Sequence, residues 1–324
     1  MRRSGAVVAT AVTLAVTAVP AAARQSAASA DGLNPLITLH EARKPLFGLY
    51  APSAGGGRGR AGSPPPPAKT PADRAAETIG YRLSDFIFDG SMERGVDRGL
   101  AGFAEYVGAL LAAGANARTH PLTAKTAKIS DDPELAKREI ARQLDTGVSG
   151  IVFVDVESAS ELRTGLNAMR FAANGGTRPD AVGAAPAYWG LSDTDYHAKA
   201  DLWPLNPGGE LVSWVIVESH EGLANVREIA AVPGITVLFP GAGTLRGLFT
   251  STNAAGERVL DEQAWEAAIQ KVLAACKEFD IPCGYPANAS DIELRMQQGF
   301  SVFIMGWGEP GFEAVEIGRK AAGR

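Results

Sequence analysis

The strongest candidate for chemistry in the sequence is Glu218, which follows directly on the apolar run at residues 212–217. Such a run predicts a strand buried on both faces. Parallel α/β proteins build their sites at the carboxyl ends of strands. A carboxylate there suits a hard divalent cation, which takes oxygen ligands. The alternative is a carboxylate that caps the helix after the strand.

The residues after Glu218 continue the strand–helix–strand pattern. Helical spacing of apolar side chains predicts a helix over residues 221–230, which Pro233-Gly234 ends. A second buried strand at 237–240 runs into a glycine-rich turn that reaches Gly243. Polar groups and glycines therefore collect at the carboxyl ends of two predicted strands.

This stretch resembles the core of the HpcH/HpaI aldolase/citrate lyase family. The matching pieces are Val217-Glu218-Ser219, Glu221 with Asn225, Glu228-Ile229, Val232-Pro233-Gly234 and Gly241 to Leu245. The resemblance implies a barrel with a divalent metal, Mg²⁺ or Mn²⁺, that cleaves or forms a C–C bond in a 2-oxo or 2-hydroxy acid. It also implies a homo-oligomer, with Glu218 as a metal ligand and Gly241, Ala242 and Thr244 at the substrate.

Arg118 and His120 are the next candidates, because residues 115–119 are interpreted as a third strand. The resemblance places at Arg118 the arginine that binds the substrate carboxylate and polarises its oxo group. A guanidinium suits a planar anion. His120 could act as a base near neutral pH. The alternatives are an arginine between loops and a loop histidine before Pro121.

Two positions depart from the family pattern. Where the family carries a catalytic histidine after its second strand, this chain has Arg94, which cannot accept a proton. Where it carries a second metal-binding aspartate, this chain has Thr244. A single carboxylate binds Mg²⁺ or Mn²⁺ weakly unless water and substrate complete the shell. Asp155, at the end of the fourth strand, either replaces the missing ligand or pairs with a lysine or arginine.

The positioning scaffold is predicted to be a (β/α)₈ TIM barrel, a single domain over residues 31–324. Eight strands alternate with helices, at residues 47–50, 85–89, 115–119, 150–156, 212–217, 237–240, 281–284 and 302–305. The Gly/Pro-rich insertion at 51–73 is a long loop that is either a lid or without a role. The aromatic segment 179–209 is expected to cap the barrel mouth or a neighbouring subunit.

The N-terminus and the charge restrict compartment and partners. Residues 1–30 have the basic start, apolar run and small-residue cleavage sites, after Ala23 or Ala30, of a secretory signal peptide. A secreted or periplasmic location follows. Cleavage after Ala30 removes Arg2, Arg3 and Arg24 and leaves 28 basic and 36 acidic residues, a net charge of −8. An acidic chain without a basic cluster is a poor partner for nucleic acid or anionic lipid.

The sequence thus predicts a metal-assisted carbon–carbon lyase of aldolase type acting on a small 2-oxo acid. The first rival is a barrel that has lost catalysis and binds a small carboxylate, since two positions of the family pattern are altered. A further alternative is another lyase or hydrolase that uses Asp155 and Glu93 as its acids. Cys276 and Cys283 are interpreted as two buried thiols, with a disulfide as the alternative.

Overall fold

The computed structural model describes residues 32–55 and 67–324. Its strands are β1 Leu46–Tyr50, β2 Phe86–Asp89, β3 Leu122–Lys125, β4 Gly150–Phe153, β5 Val212–Val217, β6 Val237–Pro240, β7 Thr250–Thr252, β8 Arg258–Leu260, β9 Gly284–Pro286 and β10 Val302–Met305. Among these residues, no helix combines the length and apolar character that a membrane crossing requires.

Eight of the described strands form one parallel sheet that curls into a barrel. Its order is β6-β5-β4-β3-β2-β1-β10-β9, with every neighbouring pair parallel. A parallel bridge from Leu238 in β6 to Cys283 next to β9 brings the two edges together. The predicted (β/α)₈ TIM barrel is therefore confirmed. Strands β7 and β8 form a separate antiparallel hairpin.

Helices connect and surround the strands. They are α1 Pro35–Glu41, α2 Pro71–Gly80, α3 Val96–Ala112, α4 Pro133–Leu144, α5 Ala159–Met169, α6 Ala185–Trp189, α7 Asp193–Lys199, α8 His220–Ala224, α9 Val226–Ala230, α10 Ala242–Leu248, α11 Glu262–Glu278, α12 Ile292–Gln298 and α13 Glu309–Ala321. Side-chain caps from Thr70, Asp132 and Ser158 start three of them. Such caps satisfy backbone N–H groups that have no partner inside the helix.

The barrel interior is filled by large apolar side chains around Trp214. Its ring packs on Phe86 and Phe239, with centroids 4.8 and 5.6 Å away. These large rings need glycines on neighbouring strands, because a Cβ at Gly48 would lie 2.1 Å from the Phe86 ring. Helix α1 packs on the same interior cluster and closes the end from which the strands start. The opposite end, at the carboxyl ends of the strands, is the mouth.

Strand β3 differs most from its predicted position. It runs from Leu122 to Lys125, seven residues after the predicted start at 115. Only Leu122 and Ala124 of this short strand join the apolar cluster between sheet and helices, whereas Thr123 and Lys125 are polar. The strand therefore lacks the apolar run that marks a buried parallel strand. The seventh barrel strand likewise starts at Gly284, later than predicted.

The segment at 179–209 packs at the amino ends of the strands, so its predicted place at the mouth is wrong. Trp203 stacks on His40 of α1, and its backbone carbonyl accepts a hydrogen bond from Thr236, just before β6. The Gly/Pro-rich insertion ends before Pro71, where α2 begins, and its residues 56–66 lie outside the described part of the chain. The signal peptide predicted at residues 1–30 also lies outside the described part of the chain.

The two cysteines form a disulfide, so their interpretation as free thiols is wrong. Cys276 in α11 and Cys283 before β9 are bonded, with their Cα atoms 5.6 Å apart. The turn between helix and strand brings both side chains under the barrel wall, where both are buried. Their short separation of seven residues made this pairing possible.

Candidate functional site

The mouth is lined by the last inward-facing residues of several strands. Side chains alternate between the two faces of a strand, and Leu46, Phe86, Val212 and Val237 belong to the interior cluster. Every second residue after these positions also faces the interior, which places Tyr50, Gly90, Glu218 and Gly241 at the carboxyl ends. On β3, Lys125 faces inward. These strand ends therefore bring three polar side chains to the mouth, Tyr50, Lys125 and Glu218, with glycines between them.

Glu218 is the buried acid of this site, with 7% of its surface exposed. It accepts a hydrogen bond from the Thr244 hydroxyl in α10. Burial raises the pKa of the Glu218 carboxyl above its ordinary value, whereas the Thr244 hydrogen bond and the positive charge of Lys125 oppose that rise. Glu218 thus combines a polar partner with an environment that favours the neutral acid, which suits a group that exchanges a proton.

Lys125 is the cationic side chain of the mouth and was missed in the sequence. Its Nζ lies 3.1 Å from Oε1 of Glu93, and its side chain is 12% exposed. The Gln143 side chain donates a hydrogen bond to the Lys125 carbonyl and fixes the end of β3. Lys125 also acts electrostatically on Glu218 from across the mouth. A signal was present, since Lys125 ends a short Leu-Thr-Ala-Lys alternation after Pro121.

A second charged cluster adjoins the mouth where β4 ends. Nζ of Lys128 lies 2.7 Å from Oδ2 of Asp155 and 2.7 Å from Oε2 of Glu157. Burial lowers the pKa of Lys128, but the hydrogen bonds to both carboxylates outweigh it and the pKa rises. Asp155 has a φ of 47°, a conformation that non-glycine residues seldom adopt. Asp155 is therefore paired with a lysine, which was the alternative to its role as a metal ligand.

Arg118 and His120 lie at the other end of the barrel. Both precede β3, and the Arg118 guanidinium donates to the carbonyl of Gly32, near α1, 3.4 Å away. The His120 carbonyl accepts a hydrogen bond from Tyr188. The prediction that Arg118 follows the third strand is wrong, because the strand begins only at Leu122. Neither side chain can reach a ligand beside Glu218.

The other predicted site residues are at the mouth. Gly241 lies against the Glu218 side chain, and Ala242 and Thr244 begin α10. The structure therefore brings Glu218, Gly241, Ala242 and Thr244 together, with Asp155 in the adjoining cluster. Their roles toward a substrate stay predictions.

A tightly held Mg²⁺ or Mn²⁺ ion does not fit these residues. In the described part of the chain, no three His, Cys, Asp or Glu side chains form a group that could hold a metal ion. Glu93 and Asp155 are each bound by a lysine, which leaves the carboxylate of Glu218 with the neutral hydroxyls of Thr244 and Tyr50 as oxygen donors. The raised pKa of Glu218 also makes a proton compete for the same carboxylate.

Comparison with known proteins adds sequence evidence to this geometry. The model of the HpcH/HpaI aldolase/citrate lyase family matches residues 128–298. The chain is 27% identical over 176 residues to 2-dehydro-3,6-dideoxy-6-sulfogluconate aldolase of Pseudomonas putida, across 53% of this chain and 61% of that protein. It is 28% identical over 137 residues to 4-hydroxy-4-methyl-2-oxoglutarate aldolase of Hapsidospora irregularis, across 42% of this chain and 47% of that protein. Both matches span less than two thirds of these relatives.

A solved structure of similar fold is an HpcH/HpaI aldolase/citrate lyase family protein from Burkholderia cenocepacia. Its sequence is 20% identical, and the superposition has a TM-score of 0.58 over 89% of this chain and 97% of that one. At this identity the likeness concerns the fold.

Proposed function

The chain belongs to the HpcH/HpaI aldolase/citrate lyase family, and we propose that it is a carbon–carbon lyase of aldolase type for a 2-oxo or 2-hydroxy acid. The observation that carries the proposal is the pair formed by Lys125 and Glu218, a cation and a buried acid at one barrel mouth. Cleavage beside a 2-oxo acid needs both a positive charge for the developing enolate and a group that moves a proton.

Lys125 supplies the positive charge in this proposal. Its ammonium group binds the carboxylate and the oxo oxygen of the substrate and stabilises the enolate that forms when the C–C bond breaks. Glu93, 3.1 Å from Nζ, holds the ammonium in place. Charge stabilisation by such a preorganised group is worth most in a site that excludes water.

Glu218 moves the proton. Its carboxylate takes the proton from the hydroxyl group of the substrate, the C–C bond breaks, and an aldehyde or ketone leaves. The electron pair passes to the enolate, and Glu218 returns the proton to the enolate carbon. Burial places the pKa of this carboxyl above its ordinary value, closer to the pH at which proton exchange is efficient.

Family members generally depend on a divalent metal, but the proposed steps use only residues of this chain. The sequence predicts Mg²⁺ or Mn²⁺ with Glu218 as its principal ligand, but the oxygen donors at the mouth would hold such an ion only weakly. The altered positions favour a second candidate function, a barrel that binds a small carboxylate without turnover. Arg94 is exposed where the family pattern has its histidine, and Thr244 stands where that pattern has an aspartate.

The direct test is pyruvate release from a 4-hydroxy-2-oxo acid, with oxaloacetate decarboxylation measured in parallel. Decarboxylation forms the same enolate without removing a hydroxyl proton. Glu218→Gln is therefore expected to lower aldol cleavage by about 100-fold or more and to lower decarboxylation much less. Equal losses in both reactions would contradict the role of Glu218. Binding of pyruvate by calorimetry without turnover in either assay would establish the carboxylate-binding function instead.

A separate experiment tests whether Lys125 acts as a positive charge or as a nucleophile. A lysine can also attack the oxo group and form an imine, which borohydride reduces to a stable adduct. We expect no mass increase on Lys125 after treatment with pyruvate and borohydride, since in the proposed mechanism its ammonium group, 3.1 Å from Glu93, acts only as a charge. A borohydride-trapped adduct on Lys125 would overturn the charge-stabilising mechanism.

We further propose that the protein is secreted or periplasmic and forms a homo-oligomer. The disulfide between Cys276 and Cys283 supports the first point, because disulfides persist in oxidising compartments. N-terminal sequencing of the exported protein is expected to show a start after Ala23 or Ala30. A cytosolic protein with an intact N-terminus would contradict export, and a monomeric mass in solution would contradict oligomerisation.

A further inference from the structure

Gln143 is a polar side chain that is fully buried on the inner face of α4, one residue before the helix ends. Side chains of a helix lean toward its amino end, and α4 begins at the mouth because it follows β3. The amide of Gln143 therefore reaches back to the carboxyl end of β3. There its Nε2 donates a hydrogen bond to the Lys125 carbonyl, 2.8 Å away.

This hydrogen bond replaces one that the sheet does not make. The ladder between β2 and β3 includes the bond from the Ile87 N–H to the Pro121 carbonyl, and a parallel ladder advances by two residues on each strand. Its continuation would bring the Ser91 N–H to the Lys125 carbonyl. The Ser91 N–H instead donates to Oδ1 of Asp89, 2.9 Å away. A side chain of α4 thus supplies the donor that the end of β2 does not.

The same amide also contacts the loop after β2. Nε2 of Gln143 donates a weak hydrogen bond to Sδ of the buried Met92, 3.6 Å away. Met92 directly precedes Glu93, whose Oε1 lies 3.1 Å from Nζ of Lys125. One amide group therefore contacts both chain segments that carry this ion pair.

The side chain of Gln143 lowers the stability of the layer in which it lies. Its Oε1 is buried and has no hydrogen-bond partner among the described residues. Burying a polar atom without a partner costs free energy that an apolar side chain of the same shape does not cost. Such a group suggests a role in the site rather than in stability.

We propose that Gln143 is a positioning residue for Lys125, which holds the ammonium group and its partner Glu93 in one arrangement and does not itself contact the substrate. The inference rests on the proposed function, in which Lys125 stabilises the enolate. Without the amide, the end of β3 and the loop after β2 can move independently. A displacement of the charge by about 1 Å is enough to lower turnover strongly.

Gln143→Met tests this role, because methionine keeps the length of the side chain and removes both donors. The kcat of oxaloacetate decarboxylation is expected to fall by about tenfold or more, and urea unfolding checks that the variant is folded. The matched control is Gln270→Met in α11, where the amide of Gln270 donates to Glu266, 2.8 Å away. Its turnover is expected to stay at the wild-type level.

A double variant distinguishes positioning of Lys125 from a general effect on the fold. If Gln143 acts through Lys125, Gln143→Met adds no further loss of turnover to Lys125→Met, and the two effects are not additive. Losses that multiply in the double variant overturn the positioning role. Wild-type turnover in a folded Gln143→Met overturns it too. Both outcomes leave the proposed function intact.

Nuclear magnetic resonance tests the contact without turnover. In protein with isotopically labelled lysine, the Cε signal of Lys125 is assigned by its absence from Lys125→Met. A side chain held in one conformation keeps its two Hε protons at distinct chemical shifts. These shifts are expected to be distinct in the wild type and in Gln270→Met, and to merge in Gln143→Met. Merged shifts in the wild type, or distinct shifts in Gln143→Met, overturn the positioning role.

Met92→Leu keeps the proposal testable if Gln143→Met does not fold. Leucine conserves the buried volume and removes the sulfur acceptor, so the two Hε shifts of Lys125 are expected to move toward each other. Unchanged shifts in Met92→Leu overturn the joint hold on the ion pair. If the shifts respond as expected but the wild type turns over neither oxaloacetate nor a 4-hydroxy-2-oxo acid, the positioning contact stands and the proposed function fails.

Discussion

Glu218 packs so closely on Gly241 that a Cβ on the glycine would lie 2.4 Å from both Cβ and Oε2 of the acid. The backbone of Gly241 has a φ of −72°, which any residue adopts, so space alone requires the glycine. Gly241→Ala is expected to displace the Glu218 carboxylate and lower kcat/KM by about 100-fold. Overpacking lowers the free energy of unfolding by about 1–3 kcal/mol. Steady-state kinetics and chemical denaturation measure both effects.

The matched control is Gly243→Ala, two residues further along α10. A Cβ there has no neighbour within 4 Å. Alanine in a helix is also more favourable than glycine, so stability and kcat/KM are expected to stay the same or rise slightly. Similar losses in both variants would show that the close approach at Gly241 does not position Glu218.

Thr244→Val tests the electrostatics of Glu218. The Thr244 hydrogen bond lowers the pKa of this carboxyl, so its removal raises the pKa further. Because Glu218 acts as an ionised base, activity rises with pH through this pKa. The acidic limb of the kcat/KM profile is therefore expected to move to higher pH in Thr244→Val. A limb that does not move would show that another group controls it.

The metal prediction is tested by titrating Mn²⁺ calorimetrically. Thr244→Asp adds a carboxylate beside Glu218 and is expected to tighten Mn²⁺ binding by at least about tenfold over the wild type. The gain should disappear in the double variant with Glu218→Gln. Asp155→Asn is expected to change little, since Lys128 already binds Asp155. Wild-type affinity as tight as that of Thr244→Asp would contradict the poor fit of a metal ion.

The sequence predicted the barrel well because most strands carry continuous apolar runs. β5, β6 and β10 were predicted with their observed ends. Glu218 was found for the same reason, since it follows the clearest of these runs. Thr244 and Gly241 followed from the family resemblance.

Lys125 could not be found in the same way. β3 places polar Thr123 and Lys125 toward the interior, so it has no apolar run, and the pattern favoured residues 115–119 instead. That single displacement put Arg118 and His120 at the mouth and left Lys125 unnoticed. The pairing of Asp155 with Lys128 also escaped prediction, because it depends on how the loops after β3 and β4 meet.

The buried histidine of α1 gives the fold a pH dependence. His40 is buried against Trp203, its Nε2 has no hydrogen-bond partner among the described residues, and burial lowers its pKa to about 4. The unfolded chain takes up this proton near pH 6.5. The contribution of neutral His40 to the free energy of unfolding is therefore fully present above pH 6.5. It falls by about 3 kcal/mol as the pH drops toward 4.

His40→Leu removes this contribution and keeps the apolar contact. Urea unfolding of the wild type and of His40→Leu between pH 7 and pH 4 measures the difference between their free energies of unfolding. The buried carboxyl groups are common to both proteins, so their contribution cancels in this difference. The stability advantage of the wild type over the variant is expected to shrink or reverse as the pH falls. A constant difference across this range would show that His40 is not held neutral in the folded protein.

Oxaloacetate decarboxylation in the presence of EDTA tests most directly whether Lys125 supplies the positive charge of the site. The wild type is expected to keep its turnover above the enzyme-free rate after metal removal. Lys125→Met is expected to lower kcat by about 100-fold or more, while the control Lys137→Met, which changes a half-buried lysine of α4 paired with Glu134, leaves it unchanged. Turnover that disappears in EDTA, returns with Mn²⁺ and survives Lys125→Met would show that a metal ion, and not Lys125, supplies the positive charge.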